Sequence, residues 1–243
     1  QRDWQNIEKI RKASSYDWNK VCSFRTKEDS GHEEPWTRFL AGENPTYPEE
    51  LLRVNFDQVC NRLNDIREDT EDLTKVNIHH WQNLNPVLTE GLIQLTLGAP
   101  QVMYNGGLLM CRVRYFDFDQ RRPGLPRDIS ALVEQLEHDR TVIRLVNISP
   151  FHSRSLIVQS GAFAEHRFKT VSYTVNAIYS QKITQVNVTD GSPITTTRIT
   201  VGDSALNVLM PPASEIVLDF SMERYVNQPS YTFPWNQNTV GGE

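Results

Sequence analysis

The adjacent histidines His79 and His80, followed by Trp81, are residues whose types could perform acid–base or ligand-binding chemistry. Neighbouring side chains point about 100° apart on a helix and to opposite faces of a strand. The doublet therefore lacks the spacing of a metal-binding pair, and at most one histidine can serve a given site. We treat each as a candidate catalytic acid, base or substrate contact, and Trp81 as a candidate substrate-binding residue. Alternatively, one histidine and Trp81 pack a segment leading into a helix, and the other histidine faces solvent.

Three further residues are catalytic candidates because they combine acidic and imidazole groups. Asp117 lies at the end of a predicted strand, and Glu165 and His166 end another. Glycoside hydrolysis uses two carboxyl groups about 5 to 9.5 Å apart, and sequence spacing alone places no pair at that distance. The alternative interpretation of Asp117 is a strand end that runs into a charged turn.

Arg112 and Arg114 share one face of the same predicted strand. Guanidinium groups bind planar anions through paired hydrogen bonds, so these two residues are candidates for binding a carboxylate, sulfate or uronate. The alternative is that both arginines are solvated or paired within the protein.

No metal site and no cofactor are predicted. His138, His152 and His166 are evenly spaced, but if residues 141–149 and 153–163 form a hairpin, His152 lies at its tip and the other two at its open end. Of these three histidines, only His138 and His166 could still form a metal-binding pair. The common nucleotide, zinc-protease, serine-hydrolase and EF-hand motifs do not occur in the sequence.

The cysteines and asparagine sequons indicate structural or surface roles. Cys22, Cys60 and Cys111 form no CxxC spacing, and we expect Cys60 and Cys111 to be buried structural thiols. Asn187 begins a glycosylation sequon, and Asn147 begins another that Pro150 directly follows; both matter only in a eukaryotic secretory context.

The composition bounds the class of protein and its partners. Of 243 residues, 38% are hydrophobic and 23% charged, with a net charge of −5. This negative net charge argues against nucleic acid as a partner, because nucleic acid binds basic surfaces. No apolar run in the sequence reaches the ~20 residues that a membrane-spanning helix needs. The chain begins at Gln1 without Met or an apolar signal region, so we expect a processed chain or a piece of a longer protein, and no compartment is identified.

The first part of the chain has a helical period. A helix is predicted over about residues 2–25, followed by a loop over 27–47 that Trp36 anchors. Thr46 begins a predicted capping box with proline in the first turn of the next helix. That helix carries apolar residues at spacings of four, three, four and three: Leu52, Phe56, Val59, Leu63 and Ile66.

A third helix is predicted over 86–97, because Asn85 is a good N-cap and Pro86 suits the first helical position. Gly98 suits the left-handed position after the helix, and Pro100 prevents continuation.

After Pro100 the apolar period changes to two, which predicts strands. Residues 128–138 fit either a helix or a strand, and the strand is favoured because a short turn leads into the next strand. The other strands are predicted at 109–116, 141–149, 153–163, 168–175, 194–201, 205–210 and 215–222. We therefore predict an α+β fold, with a helical portion over 1–100 packed on an antiparallel β-sandwich over 101–243.

The segments "NPVLTEGLIQLTLGAP", "QVMYNGG" and "LNVLMPPASEIVLDF" follow one another in an order that resembles the C-terminal end of (α/α)-barrel carbohydrate-active proteins. In these proteins the last barrel helices lead into a β-sandwich. The resemblance covers roughly residues 50–222 and implies a layout; no catalytic residue is carried over, and fold alone does not assign function.

Three functional hypotheses follow. The first is the C-terminal helical and β-sandwich portion of a larger carbohydrate-active protein, with a structural or substrate-contact role. Its partner would be the rest of that polypeptide or another subunit, bound through a broad apolar patch on the helical half. The second is a free-standing sandwich module that binds a protein or glycan without catalysis. The third is a small hydrolase or lyase that uses His79 or His80 with a carboxylate.

Overall fold

The computed structural model describes residues 5–6, 9–10, 13, 19–21, 33–100, 111–177 and 196–236. Helices come first along the chain and two antiparallel sheets in a sandwich-like arrangement follow, which confirms the predicted α+β class. By its packing the chain divides into two compact units, Gln1–Leu92 and Ile93–Glu243. The domain boundary after residue 100 stays a prediction. Among the helices described, none is long and apolar enough to cross a membrane.

The helix predicted over 2–25 falls largely outside the described residues. Residues 5–6, 9–10 and 13 are helical, whereas 19–21 are not. A continuous helix to residue 25 is therefore wrong.

The loop predicted over 27–47 contains a helix, α1 (Glu33–Leu40). Pro35 lies in the first turn of α1, where a missing N–H costs no hydrogen bond, so it does not prevent the helix. Trp36 is buried, and Arg38 near the other end pairs with Glu43 at 3.1 Å. Burial of the tryptophan stabilises a helix that its composition alone does not predict.

The second predicted helix is present as α2 (Tyr47–Glu68), with proline in its first turn. The predicted capping box does not form. Thr46 has helical backbone angles (φ −84°, ψ −9°) and makes no side-chain cap. Its hydroxyl instead donates to Glu50 Oε1 at 2.6 Å.

The apolar seam of α2, formed by Leu52, Phe56, Val59, Leu63 and Ile66, points away from the buried side of the helix. The buried residues are Tyr47, Leu51 and Gln58. Gly91 lies against this buried side, where a β-carbon would come within 3.1 Å of Leu51 Cγ. The exposed large apolar residues of the helix are Leu52, Phe56, Leu63 and Ile66.

The helix predicted over 86–97 begins later than expected. A short helix, α3 (Ile78–Leu84), precedes it, and α4 spans Glu90–Leu97. Asn85 follows α3 in an extended conformation (φ −59°, ψ 114°), which a residue before proline favours. Asn85 is thus wrong as the N-cap of a helix starting at 86. Gly98 has a positive φ of 60°, which fits the predicted helix stop.

Nine strands lie within the described residues: β1 (Val113–Asp117), β2 (Arg122–Pro123), β3 (Ile129–Leu136), β4 (Arg140–Asn147), β5 (Arg154–Ser160), β6 (Arg167–Ala177), β7 (Thr197–Asp203), β8 (Ala205–Met210) and β9 (Ser214–Glu223). One sheet has the order β2-β1-β5-β8 and the other β3-β4-β9-β6-β7. All neighbours are antiparallel. The segment 128–138 is therefore a strand, as favoured, and pairs with β4.

The expected hairpin between 141–149 and 153–163 is wrong, because β4 and β5 belong to different sheets. The chain crosses between the sheets after Asn147, whose side-chain amide is buried and donates to three carbonyls, those of His152, Met210 and Pro211. These bonds hold the crossing segment against the end of β8.

The sandwich core is built from the alternate, inward-facing residues of both sheets. Phe168 and Phe220 stack at its centre with ring centroids 4.1 Å apart. Fully buried aliphatic residues surround them, including Ile143, Leu145 and Leu218.

Candidate functional site

The short helix α3 positions the histidine doublet and Trp81. Asn77 caps the helix, its side-chain oxygen accepting the backbone N–H of His79 at 2.9 Å. At the other end the backbone N–H of Asn85 donates to Trp81 O at 3.0 Å. Both ends of α3 are thus closed by local hydrogen bonds, and the three candidate side chains project from one turn.

His80 is held by a carboxylate from the end of α2. Its Nε2 donates to Asp69 Oδ2 at 2.8 Å, and the other carboxylate oxygen accepts the backbone N–H of Glu71 at 3.1 Å. The Glu71 N–H and then the His80 imidazole lower the pKa of Asp69 from its ordinary value. The pair therefore favours an ionised Asp69 with the His80 proton on Nε2.

His79 and Trp81 have different surroundings from His80. His79 is exposed, with Nδ1 3.3 Å from Gln82 Oε1. Trp81 meets the His80 ring edge-on, with centroids 5.8 Å apart at 82°, and remains 52% exposed. A large part of the indole is therefore available to a ligand.

These residues border an open concavity of about 1120 Å³ within the first unit. Its wall is mainly apolar, with a few polar side chains, which is the usual make-up of a small-molecule site. His80 is not among the described lining residues; its partner Asp69 is. The lining consists of Ile66, Asp69, Glu71, Leu73, Ile78, His79, Trp81, Gln82, Leu84, Asn85 and Pro86.

Asp117 lies in the sandwich unit and stabilises the β1–β2 turn. It is buried, its carboxylate pairs with Arg122 Nη2 at 3.1 Å, and it accepts the Gln120 backbone N–H at 3.1 Å. This arrangement matches the alternative interpretation of a strand end that runs into a charged turn.

Glu165 and His166 are buried in the turn before β6. The Glu165 carboxylate accepts the backbone N–H groups of Ala162 and Phe163 at 3.3 and 2.7 Å. His166 Nδ1 accepts the backbone N–H of Tyr225 at 3.0 Å, so the proton of a neutral imidazole is on Nε2. That atom lies 3.9 Å from Glu165 Oε1. Both side chains are engaged in holding the turn and the segment after β9.

Arg112 and Arg114 both have acceptors within the sandwich unit. Arg112 is buried and donates to Glu137 O at 2.7 Å; burial, followed by nearby Arg224, lowers its pKa to about 10. Arg114 donates to Ala162 O at 3.0 Å. Their role in substrate binding stays a prediction.

The remaining histidines and cysteines, which are residue types that bind metals, do not cluster within the described residues. His138 and His152 are exposed, whereas His166 is buried, and no group of three His, Cys, Asp or Glu within the described residues is arranged to hold an ion. Cys111 is buried as expected, and burial raises the pKa of its thiol to about 12. Cys60 is only partly buried, and Cys22 lies outside the described residues.

Sequence reasoning missed Asp69 and Gln82 as members of the site. Asp69 belongs to the charged segment "REDTEDLTK" at the end of α2, whose composition is typical of a solvated helix end, and it lies eleven residues before His80. Gln82 lies three residues after His79, a spacing that places both on one helix face. That spacing was a usable signal for Gln82, whereas Asp69 required knowledge of the tertiary fold.

The fold and site define an α+β protein with a helical unit, a solvent-open concavity and an antiparallel sandwich. A family described as a domain of unknown function, DUF8034, matches residues 1–93. None of the curated proteins matches this sequence. Among solved structures, the α-L-arabinofuranosidase of Thermotoga maritima in complex with arabinose is similar at 16% identity with a TM-score of 0.27. The match covers 44% of this chain and spans 23% of the enzyme's length.

Proposed function

We propose that the concavity beside α3 binds carbohydrate, and that this chain is the C-terminal helical and sandwich portion of a larger carbohydrate-active protein. The role of the chain there is to contact substrate and support the fold. The observation that carries the proposal is the half-exposed Trp81 ring in an open concavity that also holds His79, Gln82 and Asp69.

The chemistry of this surface suits a sugar. A pyranose or furanose ring has an apolar C–H face and hydroxyl groups at its edge. The indole of Trp81 offers a flat apolar surface, and the Gln82 amide and Asp69 carboxylate offer donors and acceptors for hydroxyl groups. Asp69 already accepts bonds from His80 and the Glu71 N–H, so it is held in position before a ligand arrives.

The exposed apolar residues of α2 support the larger-protein part of the proposal. Phe56 is 68% exposed, and three other seam residues are also exposed. Contiguous apolar surface of this kind marks an interaction site in soluble proteins.

Replacing Trp81 with alanine tests the binding role. We expect the W81A chain to lose affinity at least about tenfold, equivalent to ~1.4 kcal/mol, for whichever of gluco-, xylo-, galacto- or arabino-oligosaccharides binds the unmodified chain. Isothermal titration calorimetry measures this loss. Phe151→Ala is the matched control, because Phe151 is an exposed aromatic residue of the sandwich unit. Absence of binding to all four sugar series, or equal losses in both variants, rejects the proposal.

A second candidate, a small hydrolase or lyase, is favoured by the 2.8 Å hydrogen bond between His80 and Asp69. A carboxylate that orients an imidazole is an arrangement found in general bases, and of this pair Asp69, not His80, is among the residues that line the concavity. This candidate predicts that the chain cleaves a sugar it binds, and that His80→Gln abolishes cleavage while leaving binding within about twofold. Chromatography of the products checks it, with the exposed His138→Gln as the control. Binding without any cleavage excludes this candidate and leaves the carbohydrate-contact role in place.

A further inference from the structure

The apolar seam of α2 comprises Leu52, Phe56, Val59, Leu63 and Ile66. We propose that this seam docks a separate amphipathic helix whose flanking positions are acidic. The inference concerns the partner of α2 and rests on the larger-protein part of the proposed function, not on sugar binding. Ile66, at one end of the seam, also borders the concavity, so the tests below substitute Phe56 and Leu63, which are not among its lining residues.

The seam has the geometry of a coiled-coil contact. Its residues recur at alternating spacings of four and three, which are the a and d positions of a heptad repeat. With Leu52 at d, Phe56 and Leu63 occupy a, and Val59 and Ile66 occupy d. The helix is 22 residues long, and the seam from Leu52 to Ile66 offers about two heptads to a partner helix.

The seam is not used by the interior of the first unit. The residues that α2 buries are Tyr47, Leu51 and Gln58, on another side of the helix. Phe56 and Leu52 are 68% and 45% exposed, and Leu63 and Ile66 are exposed as well. A second helix can therefore lie along the seam without displacing the buried residues Tyr47, Leu51 and Gln58.

The charges beside the seam define the partner. Positions e and g are the residues that face the flanks of a docked helix, and in α2 they include Arg53, Arg62 and Arg67 but no Asp or Glu. The acidic residues Asp57 and Asp65 lie at b and c, turned away from a partner. The flanks of α2 thus favour a helix that carries glutamate or aspartate at its own e and g positions.

Arg62 already donates to Asn85 O at 2.6 Å, so the charge preference rests on Arg53 and Arg67, whose existing interactions are weaker competitors for a partner carboxylate. Arg53 pairs with Glu49 at 2.6 Å on the surface, and such exposed pairs contribute only about 0.3 to 0.5 kcal/mol. Arg67 Nη1 donates to Asn64 Oδ1 at 3.1 Å, a neutral acceptor. A partner carboxylate can therefore reach either guanidinium at small cost.

A second copy of this chain fits poorly. In a parallel pair of α2 helices, position g of one helix faces position e of the other in the next heptad, which opposes Arg62 and Arg67. In an antiparallel pair e faces e, which opposes arginines again. Like charges at these positions select against self-pairing.

A membrane surface is also a poorer fit. Helices that lie on a membrane carry Lys and Arg across their polar face, whereas the polar face of α2 includes Glu50, Asp57, Asp65 and Glu68. These carboxylates, at positions b, c and f, interrupt the positive charge with which such helices attract anionic headgroups. A helical partner needs only the basic residues beside the seam.

Two synthetic peptides test the proposal on the whole chain. Both have three heptads with leucine at a and d; one has glutamate and the other lysine at every e and g position. The like charges within each peptide keep it from pairing with itself. Fluorescence anisotropy should show the glutamate peptide binding at least tenfold more tightly than the lysine peptide, with the difference shrinking at high salt.

Two double variants separate the apolar contribution from the charge contribution. Phe56→Ala with Leu63→Ala should weaken binding of the glutamate peptide at least tenfold. Arg53→Glu with Arg67→Glu should reverse the preference between peptides. The matched controls, Phe151→Ala and Arg121→Glu on the exposed surface of the sandwich unit, should change nothing. All four substituted α2 residues are exposed, so we expect both double variants to fold. Circular dichroism checks that they do.

Several results overturn the proposal. These are equal affinity for the two peptides, no binding of either peptide, or binding that the Phe56 and Leu63 substitutions do not change. Sedimentation that shows self-association of the unmodified chain, lost in the Phe56 and Leu63 variant, assigns the seam to a second copy. Seam-dependent binding to vesicles of phosphatidylserine and phosphatidylcholine, without peptide binding, assigns it to a membrane.

Discussion

His166 is a buried imidazole that the folded protein holds in its neutral form. Loss of hydration is the largest cause of its lowered pKa; Arg224 and Arg112 act in the same direction, and Glu165 opposes them. The bond from the Tyr225 N–H to Nδ1 also requires an unprotonated nitrogen at that position. Protonation of this single residue therefore disfavours the fold.

Stability should fall as the pH drops below the ordinary histidine pKa of about 6.5. In this range the unfolded chain binds the proton that folded His166 resists, so the free energy of unfolding decreases by at most ~1.4 kcal/mol per pH unit from this residue. Urea denaturation between pH 7 and pH 5 measures the slope.

His166→Gln retains an acceptor for the Tyr225 N–H and should reduce that slope. His138→Gln, at an exposed histidine, should keep the slope of the unmodified chain. Asp69 does not interfere, because its lowered pKa acts only at pH values below the ordinary aspartate value near 3.9. Identical slopes in the His166 and His138 variants would contradict the assignment.

The turn between β5 and β6 requires glycine at position 161, for two reasons: the backbone there has a positive φ, and the Glu165 carboxylate lies close to it. Gly161 has a φ of +85°, and a β-carbon at this position would lie 2.4 Å from the Glu165 carboxylate. The same carboxylate accepts two backbone N–H groups of the turn. Only glycine leaves room for that arrangement.

Gly161→Ala should be far more destabilising than Gly202→Ala. Gly202 has a similar φ of +67° but nothing within 4 Å of a β-carbon, so its substitution costs about 1 to 2 kcal/mol for the left-handed backbone alone. Gly161→Ala should cost at least ~2 kcal/mol more, because the carboxylate must move and leave buried N–H groups without acceptors. Thermal or urea unfolding of the two variants measures the difference, and equal losses would contradict this account.

The elements were predictable where one period dominates the sequence. Alternation located eight of the nine described strands to within a few residues, including the strand at 129–136. The two-residue, exposed strand β2 was not predicted, because it has no buried face to produce alternation. The first and last residues of the helices were harder to predict. Asn85 and Pro86 carry the residue types of a helix start but end α3 instead, since the residue before a proline resists the helical conformation. Asn77, an equally good cap, marks the actual beginning of α3.

At the scale of the whole molecule, the sequence predicted the order of helices and sandwich but not which apolar surfaces are covered. The spacing along α2 shows that Leu52 and Phe56 share a face, yet only the fold shows that Leu51, one residue earlier, is the buried neighbour. The same limit applies to the candidate site. His79, His80 and Trp81 could be selected by residue type, but the bond from His80 to Asp69 depends on the approach of α3 to the end of α2.

The buried amide of Asn147 depends on residues that are synthesised later than Asn147 itself. Two of its three acceptors, Met210 and Pro211, come more than sixty residues later in the chain. Until the ribosome has added Met210 and Pro211, the Asn147 amide lacks these two acceptors and the crossing segment after β4 is not held by them. In a eukaryotic secretory host, an oligosaccharyltransferase and the closing sandwich would therefore compete for the same side chain. A glycan attached early would prevent the amide from reaching its acceptors.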